Sequence, residues 1–303
     1  MPTYMKRIST VLLFIVVVLI WSSTWTAMSI AVETIPPVTA TALRFLVASP
    51  LLLILLSLRR APLLFPRGQR WLQFLITAGY FIIPFSLLMW GEQRLSPRHA
   101  ALLAANMPVI VLFLSVFLLN ERLCYRKISG LALSSASLFF ILHRELDIPN
   151  AETLVALLAF LVALVLHGFF NVQLKKHACY VPALTFNALP CTLAGLVLLA
   201  AALIFEHPSV DVFSTESIGA VVYLAVFANV VAILSFFKIQ QSTSPSKASI
   251  VFAVFPLVAI AIDGLRYGQT FAATSIALTL PLITGLLILA YSPTKSVDEN
   301  AEA

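Results

Sequence analysis

Apolar residues run along this chain in long uncharged blocks separated by short polar breaks. Blocks near 8–32, 38–58, 71–90, 99–119, 128–142, 152–173, 182–205, 217–237, 248–265 and 271–291 each predict one membrane helix, since a bilayer core takes about 20 apolar residues in helical form. The breaks hold Pro36-Pro37, Arg59-Arg60, Ser96-Pro97, Pro149-Asn150 and Ser244-Pro245, residue types that stop or turn a helix. Nothing alternates in polarity every second residue, as a transmembrane β-barrel would. The expected fold is an all-α polytopic membrane protein with ten transmembrane helices.

Charge gives this pattern a direction. Alternate connections carry Lys6, Arg7, Arg59, Arg60, Arg67, Arg70, Arg122, Arg126, Lys127, Lys175, Lys176, Lys238, Lys247 and Lys295, whereas the opposite set holds only Arg94, Arg98, Arg144 and Arg266. Cytoplasmic connections are enriched in Lys and Arg, so both termini are expected in the cytoplasm. The first block follows Lys6-Arg7 and contains the small-x-small triplet Ala27-Met28-Ser29, but its uncharged run continues to Val32. That is longer than a signal-peptide core, and the segment is expected to remain as a span.

Composition removes whole function classes. Of 303 residues, 60% are hydrophobic and only 11% charged, with a mean hydropathy of +1.00; a soluble domain carries about 25% charged residues. The net charge of +6 comes from scattered residues and forms no basic patch, so no nucleic-acid partner is expected. Cys124, Cys179 and Cys191 lack metal-ligand spacing, and neither metal nor other cofactor is expected. HExxH, GxSxG and Walker A sequences are absent, which disfavours an intramembrane enzyme or ATPase. No selectivity-filter repeat or acidic ring suggests a channel.

The chain also repeats itself. Ser96-Pro97-Arg98-His99-Ala100 precedes Pro108, and Ser244-Pro245-Ser246-Lys247-Ala248 precedes Pro256 at the same spacing, 148 residues later. Pro36 and Thr39 are matched more loosely by Pro182 and Thr185. Two five-helix halves, 1–148 and 149–303, follow. Five is odd, so the second half enters the membrane inverted, an arrangement that lets a shared cleft open to either side.

The order Trp21-Ser22-Ser23-Thr24-Trp25, Pro36-Pro37 and Arg44-Phe45-Leu46-Val47-Ala48 resembles the opening of the EamA branch of the drug/metabolite transporter superfamily. Ser96-Pro97 to Pro108, followed by Asn120-Glu121-Arg122-Leu123, resembles the close of that family's first repeat. The resemblance covers nearly the whole chain. It implies a ten-helix carrier of a bacterial inner membrane that exports small organic molecules through a cavity lined by helices 1, 3, 4, 6, 8 and 9. It leaves homodimerisation open. Gln269 stands where the repeat would place a counterpart of Glu121, a departure from symmetry.

Polar residues inside spans must face other helices or water, and helical spacing gathers them. Ser22, Thr26, Ser29 and Glu33 form one stripe on helix 1, and Gln73, Thr77, Tyr80 and Pro84 one on helix 3. Helix 4 offers His99 and Asn106, helix 6 His167 and Asn171, and helix 8 Asn229 and Phe236. Pro108 and Pro256 each remove a backbone donor, which is expected to kink helices 4 and 9 and to free the carbonyls of Ala104 and Phe252. With Trp21, Trp25 and Phe252 as aromatic surface, these residues define an expected substrate pathway for a small, partly apolar molecule such as an amino acid. Interhelical hydrogen bonding is the alternative role for each stripe. Arg44, inside span 2, is either an interfacial anchor or a fixed cation for Glu33 or a substrate carboxylate. A phosphate-ester or nucleotide-sugar porter would need more buried cations than Arg44, with Lys238 and Lys247 near a span end. No carboxylate is expected near the midplane, so proton antiport, which the resemblance favours, would fall to His167 or His99; facilitated diffusion is the alternative.

Overall fold

A computed structural model describes residues 3–119, 124–145, 151–177, 181–242 and 273–291, with isolated positions between 251 and 265. Helix α1 is Thr3–Thr34 and α2 Pro37–Leu58. Helix α3 runs through Arg67–Glu92 with a π-helical stretch at Thr77–Ile82. Then come α4 (Pro97–Ala104), α5 (Met107–Leu119), α6 (Tyr125–Glu145), α7 (Ala151–His177) and α8 (Ala183–Phe205). Helix α9 consists of Thr215–Tyr223, a π-helical stretch Leu224–Ala232 and Ile233–Ser242, and α10 is Ala273–Tyr291.

Among the described residues, seven helices are long and apolar enough to cross a membrane, against the ten expected. The fifth expected span lies in α6, whose ends carry Arg126, Lys127, Arg144 and Glu145. The tenth lies in α10, with the shorter apolar core Ala277–Ile288. The ninth falls mostly outside the described residues, as do Glu121, Cys179, Phe252, Pro256 and Gln269. The fourth span is two helices, which corrects the expectation of one kinked helix. Its ladder ends at Ala105-Asn106, where Asn106 N and Nδ2 both donate to the Leu103 carbonyl at 3.1 and 3.2 Å. Pro108 is therefore the second residue of α5, where a missing N–H costs no helical bond.

The bundle is apolar outside and mixed inside. On α1, Val11, Leu12, Ile15 and Leu19 are exposed, whereas Val18, Ser22 and Thr26 are buried. Exposed apolar surface of this kind suits lipid. Two helix pairs pack most extensively, α2 with α8 and α6 with α10. In the first, Ser49 and Thr192 share a hydroxyl hydrogen bond, and a Cβ on Gly195 would sit 3.1 Å from the Leu46 backbone nitrogen. In the second, Gly285 lies against Gly130 and Ser134, one of the small-residue pairs that permit close helix contact. Ala132 and Ala136, an equally spaced pair on α6, are exposed instead.

Polar side chains tie the helix ends together. Glu206, just past α8, accepts from the Val38 and Thr39 amides at 2.9 and 2.7 Å and from the Thr39 hydroxyl at 2.7 Å. It thereby supplies acceptors to amides that no helical carbonyl serves. At the other end of this pair, Thr185 Oγ1 donates to the Pro62 carbonyl at 2.6 Å. Helix α1 is fastened to α9 by Ser217 Oγ to the Ile30 carbonyl (2.7 Å) and by Ser23 with the Tyr223 hydroxyl (2.6 Å).

Candidate functional site

The expected pathway residues separate into two interior groups and several outliers. The first group lies where α1 meets α7, α9 and the segment around Phe255. Trp21 packs on Phe236 with ring centroids 4.9 Å apart, and Trp25 lies 5.7 Å from Phe160 and 6.5 Å from Phe255. Ser22 is fully buried, its single proton shared between the carbonyls of Val18 (2.6 Å) and Phe255 (2.9 Å). The Trp25 indole N–H is buried without a hydrogen-bond partner among the described residues, an unusual condition for a group that generally finds one when buried.

The second group joins α2, α3, α7 and α9, and it begins with a proline. Pro84 has no N–H, so the Tyr80 carbonyl four residues earlier loses its α-helical donor. The ladder there shifts to π spacing, with Ile83 N bonded to the Ala78 carbonyl. His167 Nε2 lies 2.9 Å from the Tyr80 carbonyl. A carbonyl only accepts, so Nε2 carries the proton. The two rings stack obliquely at 4.6 Å, and Phe85 meets the His167 ring at 5.1 Å. Asn171 Nδ2 donates to the His167 carbonyl at 2.8 Å, and the Tyr80 hydroxyl faces the Asn171 side chain.

Arg44 completes this group and does not reach for the interface: the residue is 1% exposed. Its Nη2 donates to Asn229 Oδ1 at 2.7 Å, and its guanidinium lies over the Phe85 ring at 4.8 Å. Asn229 sits in the π-helical stretch of α9. Glu33, considered from sequence as a partner for Arg44, is exposed instead and lines a separate cavity of about 480 Å³ with Ser29, Val32, Glu92, Gln93, Arg94 and Glu152.

Three expected pathway residues satisfy local structure. Gln73 donates to the Leu63 carbonyl and accepts from Phe65 N, both at 3.0 Å, which binds the α2–α3 connection. Thr77 donates to the Gln73 carbonyl of its own helix, and Asn106 serves the α4–α5 break. His99 Nδ1 meets Ser96 Oγ at 2.8 Å, at the start of α4. Sequence reasoning missed Phe85 and Phe160. The freed Tyr80 carbonyl was legible from Pro84 by the same rule applied to Pro108.

A helical bundle with an apolar exterior and a polar, ring-lined interior is the build of an integral membrane protein that handles solutes. The chain belongs to the EamA-like transporter family, whose pattern it matches at residues 8–143 and again at 154–291; it is a membrane transporter of the drug/metabolite superfamily. Protein PagO of Salmonella typhimurium is 44% identical over 284 residues, 94% of this chain and 93% of that one. An uncharacterized transporter of Buchnera aphidicola from Schizaphis graminum is 40% identical over 94% of this chain and 95% of its own. A crystal structure 21% identical in sequence has a TM-score of 0.71 and covers 93% of this chain and 96% of that one, which places both in one fold.

Proposed function

We propose that this protein is a secondary transporter that exports small organic metabolites, such as amino acids or similar amphiphilic compounds, by alternating access between two inverted five-helix halves, 1–148 and 149–303. The observation that carries this reading is the gathering of polar and aromatic groups in two interior clusters, one where α1 meets α7 and α9 and one where α2 and α3 meet α7 and α9. Neutral hydrogen-bonding groups among rings suit a partly apolar solute held by a few polar contacts. Two further observations support the division into halves. One family pattern matches twice along the chain. Moving the π-helical stretch Thr77–Ile82 forward by the 148-residue repeat spacing puts it inside the second one, Leu224–Ala232. Such stretches recur at functional sites and at helix kinks, which supports α3 and α9 as the helices that would flex as the halves rock. A phosphate-ester porter is less well supported, because Lys238 is exposed.

Two measurements test the proposal. Reporter fusions after Arg70 and after Asp211 are expected on opposite sides of the membrane, cytoplasmic and external; the same side for both would end the ten-span topology with cytoplasmic termini. In whole-cell efflux of a panel of amino acids, Trp21→Ala and Trp25→Ala are each expected to cut the rate by about tenfold, a loss of roughly 1.4 kcal/mol of transition-state stabilisation. Wild-type rates from both variants at normal membrane levels would remove the α1 rings from the pathway.

A further inference from the structure

Arg44 carries an imbalance of charge and of hydrogen bonds. One guanidinium nitrogen is bonded to Asn229, while Nε and Nη1 are buried with no hydrogen-bond partner among the described residues. The Nδ2 amide of Asn229 is in the same condition. All three unpartnered atoms are N–H donors. Around them stand the Phe85 and Phe45 rings, 4.8 and 5.7 Å from the guanidinium carbon, with His167 and Cys191 close by. None of these is a carboxylate. Ring faces attract a cation, but a buried charge needs a partner of opposite sign with oxygens to take its protons. Among the described residues these donors have no anionic acceptor.

We propose that Arg44 and Asn229 together form a docking point for a carboxylate, and that the transported molecule is a monocarboxylate, free or zwitterionic, with an apolar body. The inference rests on the transporter reading above and narrows its substrate. Phe85 continues into a cluster of rings, Phe81 at 6.3 Å and from it Phe186 at 5.9 Å, which suits an apolar body beside the charge. One guanidinium matches one negative charge; a phosphate dianion would remain half-neutralised, and a cationic amphiphile would be repelled. The Arg44–Asn229 bond also crosses from the first half of the chain to the second, between residues 185 positions apart. Separation of α2 from α9 breaks this bond and presents the donors to the cleft.

The test uses the full-length protein in lipid nanodiscs, with melting temperature and calorimetric binding as readouts. The probes are phenylacetate, hexanoate, L-phenylalanine and L-leucine, with phenethylamine as an aromatic amine lacking the carboxylate. At least one carboxylate is expected to bind and raise the melting temperature, with phenethylamine at least about tenfold weaker, as for loss of a hydrogen bond to a charged group. Arg44→Gln is expected to lose carboxylate binding by a similar factor, and Arg44→Lys to keep part of it. Because Arg44→Gln could unfold the protein, Asn229→Asp provides the second variant. It sets a fixed carboxylate against the guanidinium, and should raise the melting temperature while abolishing probe binding.

No binding by any carboxylate, equal binding of phenethylamine, or wild-type carboxylate binding by Asn229→Asp overturns the site. Its failure is separable from that of the transport reading. A carboxylate that binds but never enters proteoliposomes sinks transport and leaves the site. Carboxylate uptake by Asn229→Asp at the wild-type rate sinks the site and leaves transport.

Discussion

Gly285→Ala is expected to destabilise the protein by roughly 1–3 kcal/mol, the usual cost of forcing atoms into a filled interior. The added Cβ would lie 2.7 Å from the Gly130 carbonyl oxygen and from the Ser134 backbone nitrogen, and 3.0 Å from Ser134 Cβ. Backbone atoms of α6 cannot rotate aside as a long side chain could, so α6 and α10 must separate along their contact. Gly219→Ala is the matched control. It lies in α9 with nothing within 4 Å of the added carbon, and should be neutral or stabilising by up to about 1 kcal/mol, the helix-propensity difference between Gly and Ala. Thermal melting of both variants in one detergent decides the matter. Equal melting temperatures would mean that the α6–α10 contact is looser than described.

His167→Leu is expected to cost about 1–3 kcal/mol of stability, the penalty for leaving a buried acceptor unsatisfied, and to cut efflux by about tenfold. The reason lies in α3. Pro84 cannot donate to the Tyr80 carbonyl, and His167 supplies a donor from the second half of the chain. Leucine fills similar space but donates nothing. His167→Gln keeps an N–H donor, so it should retain most of the stability while losing the ring contacts with Tyr80 and Phe85. If Leu and Gln variants melt alike, the hydrogen bond contributes little and the ring packing holds the contact. A pH gradient adds a further readout: glutamine does not titrate in the working range, so gradient-dependent efflux that survives His167→Gln assigns coupling elsewhere.

The sequence was informative where a one-dimensional period carries the structure. Uncharged runs marked most helices because a charge facing lipid within a span is costly. On α1, Ser22 and Thr26 of the polar stripe are buried but Glu33 of the same stripe is exposed, as are Ile15 and Leu19, which continue it towards the N-terminus. Burial there depends on position along the helix as well as on its face. Periodicity does not name the neighbour across a contact. Arg44 could be read as an anchor, or as a partner of Glu33 or of a substrate, because Asn229, 185 residues away, shares no local pattern with it. Gln73 and Thr77 had the right spacing for a cleft and were claimed by the α2–α3 connection and by their own helix. Small residues on α6 announced a close approach, but choosing Gly130/Ser134 over Ala132/Ala136 required the position of Gly285 on α10. The break at Asn106 was hidden for another reason: Pro108 fits a kinked helix and a newly started one equally well.

The acceptor that serves the first amides of α2 has a bearing on how the protein is made. Val38 and Thr39 emerge from the ribosome well over a hundred residues before Glu206, their acceptor in the finished fold. At about 5–20 residues per second, that interval is on the order of 10–30 s. During it, the leading turn of α2 has only water or lipid headgroups to accept its hydrogen bonds. Insertion of α8 then delivers the carboxylate and joins the late helix to the early one. A ribosome stalled before residue 206 thus leaves a first half that is complete in its own helices but lacks this clasp, a state that membrane quality control could recognise by the loose end of α2.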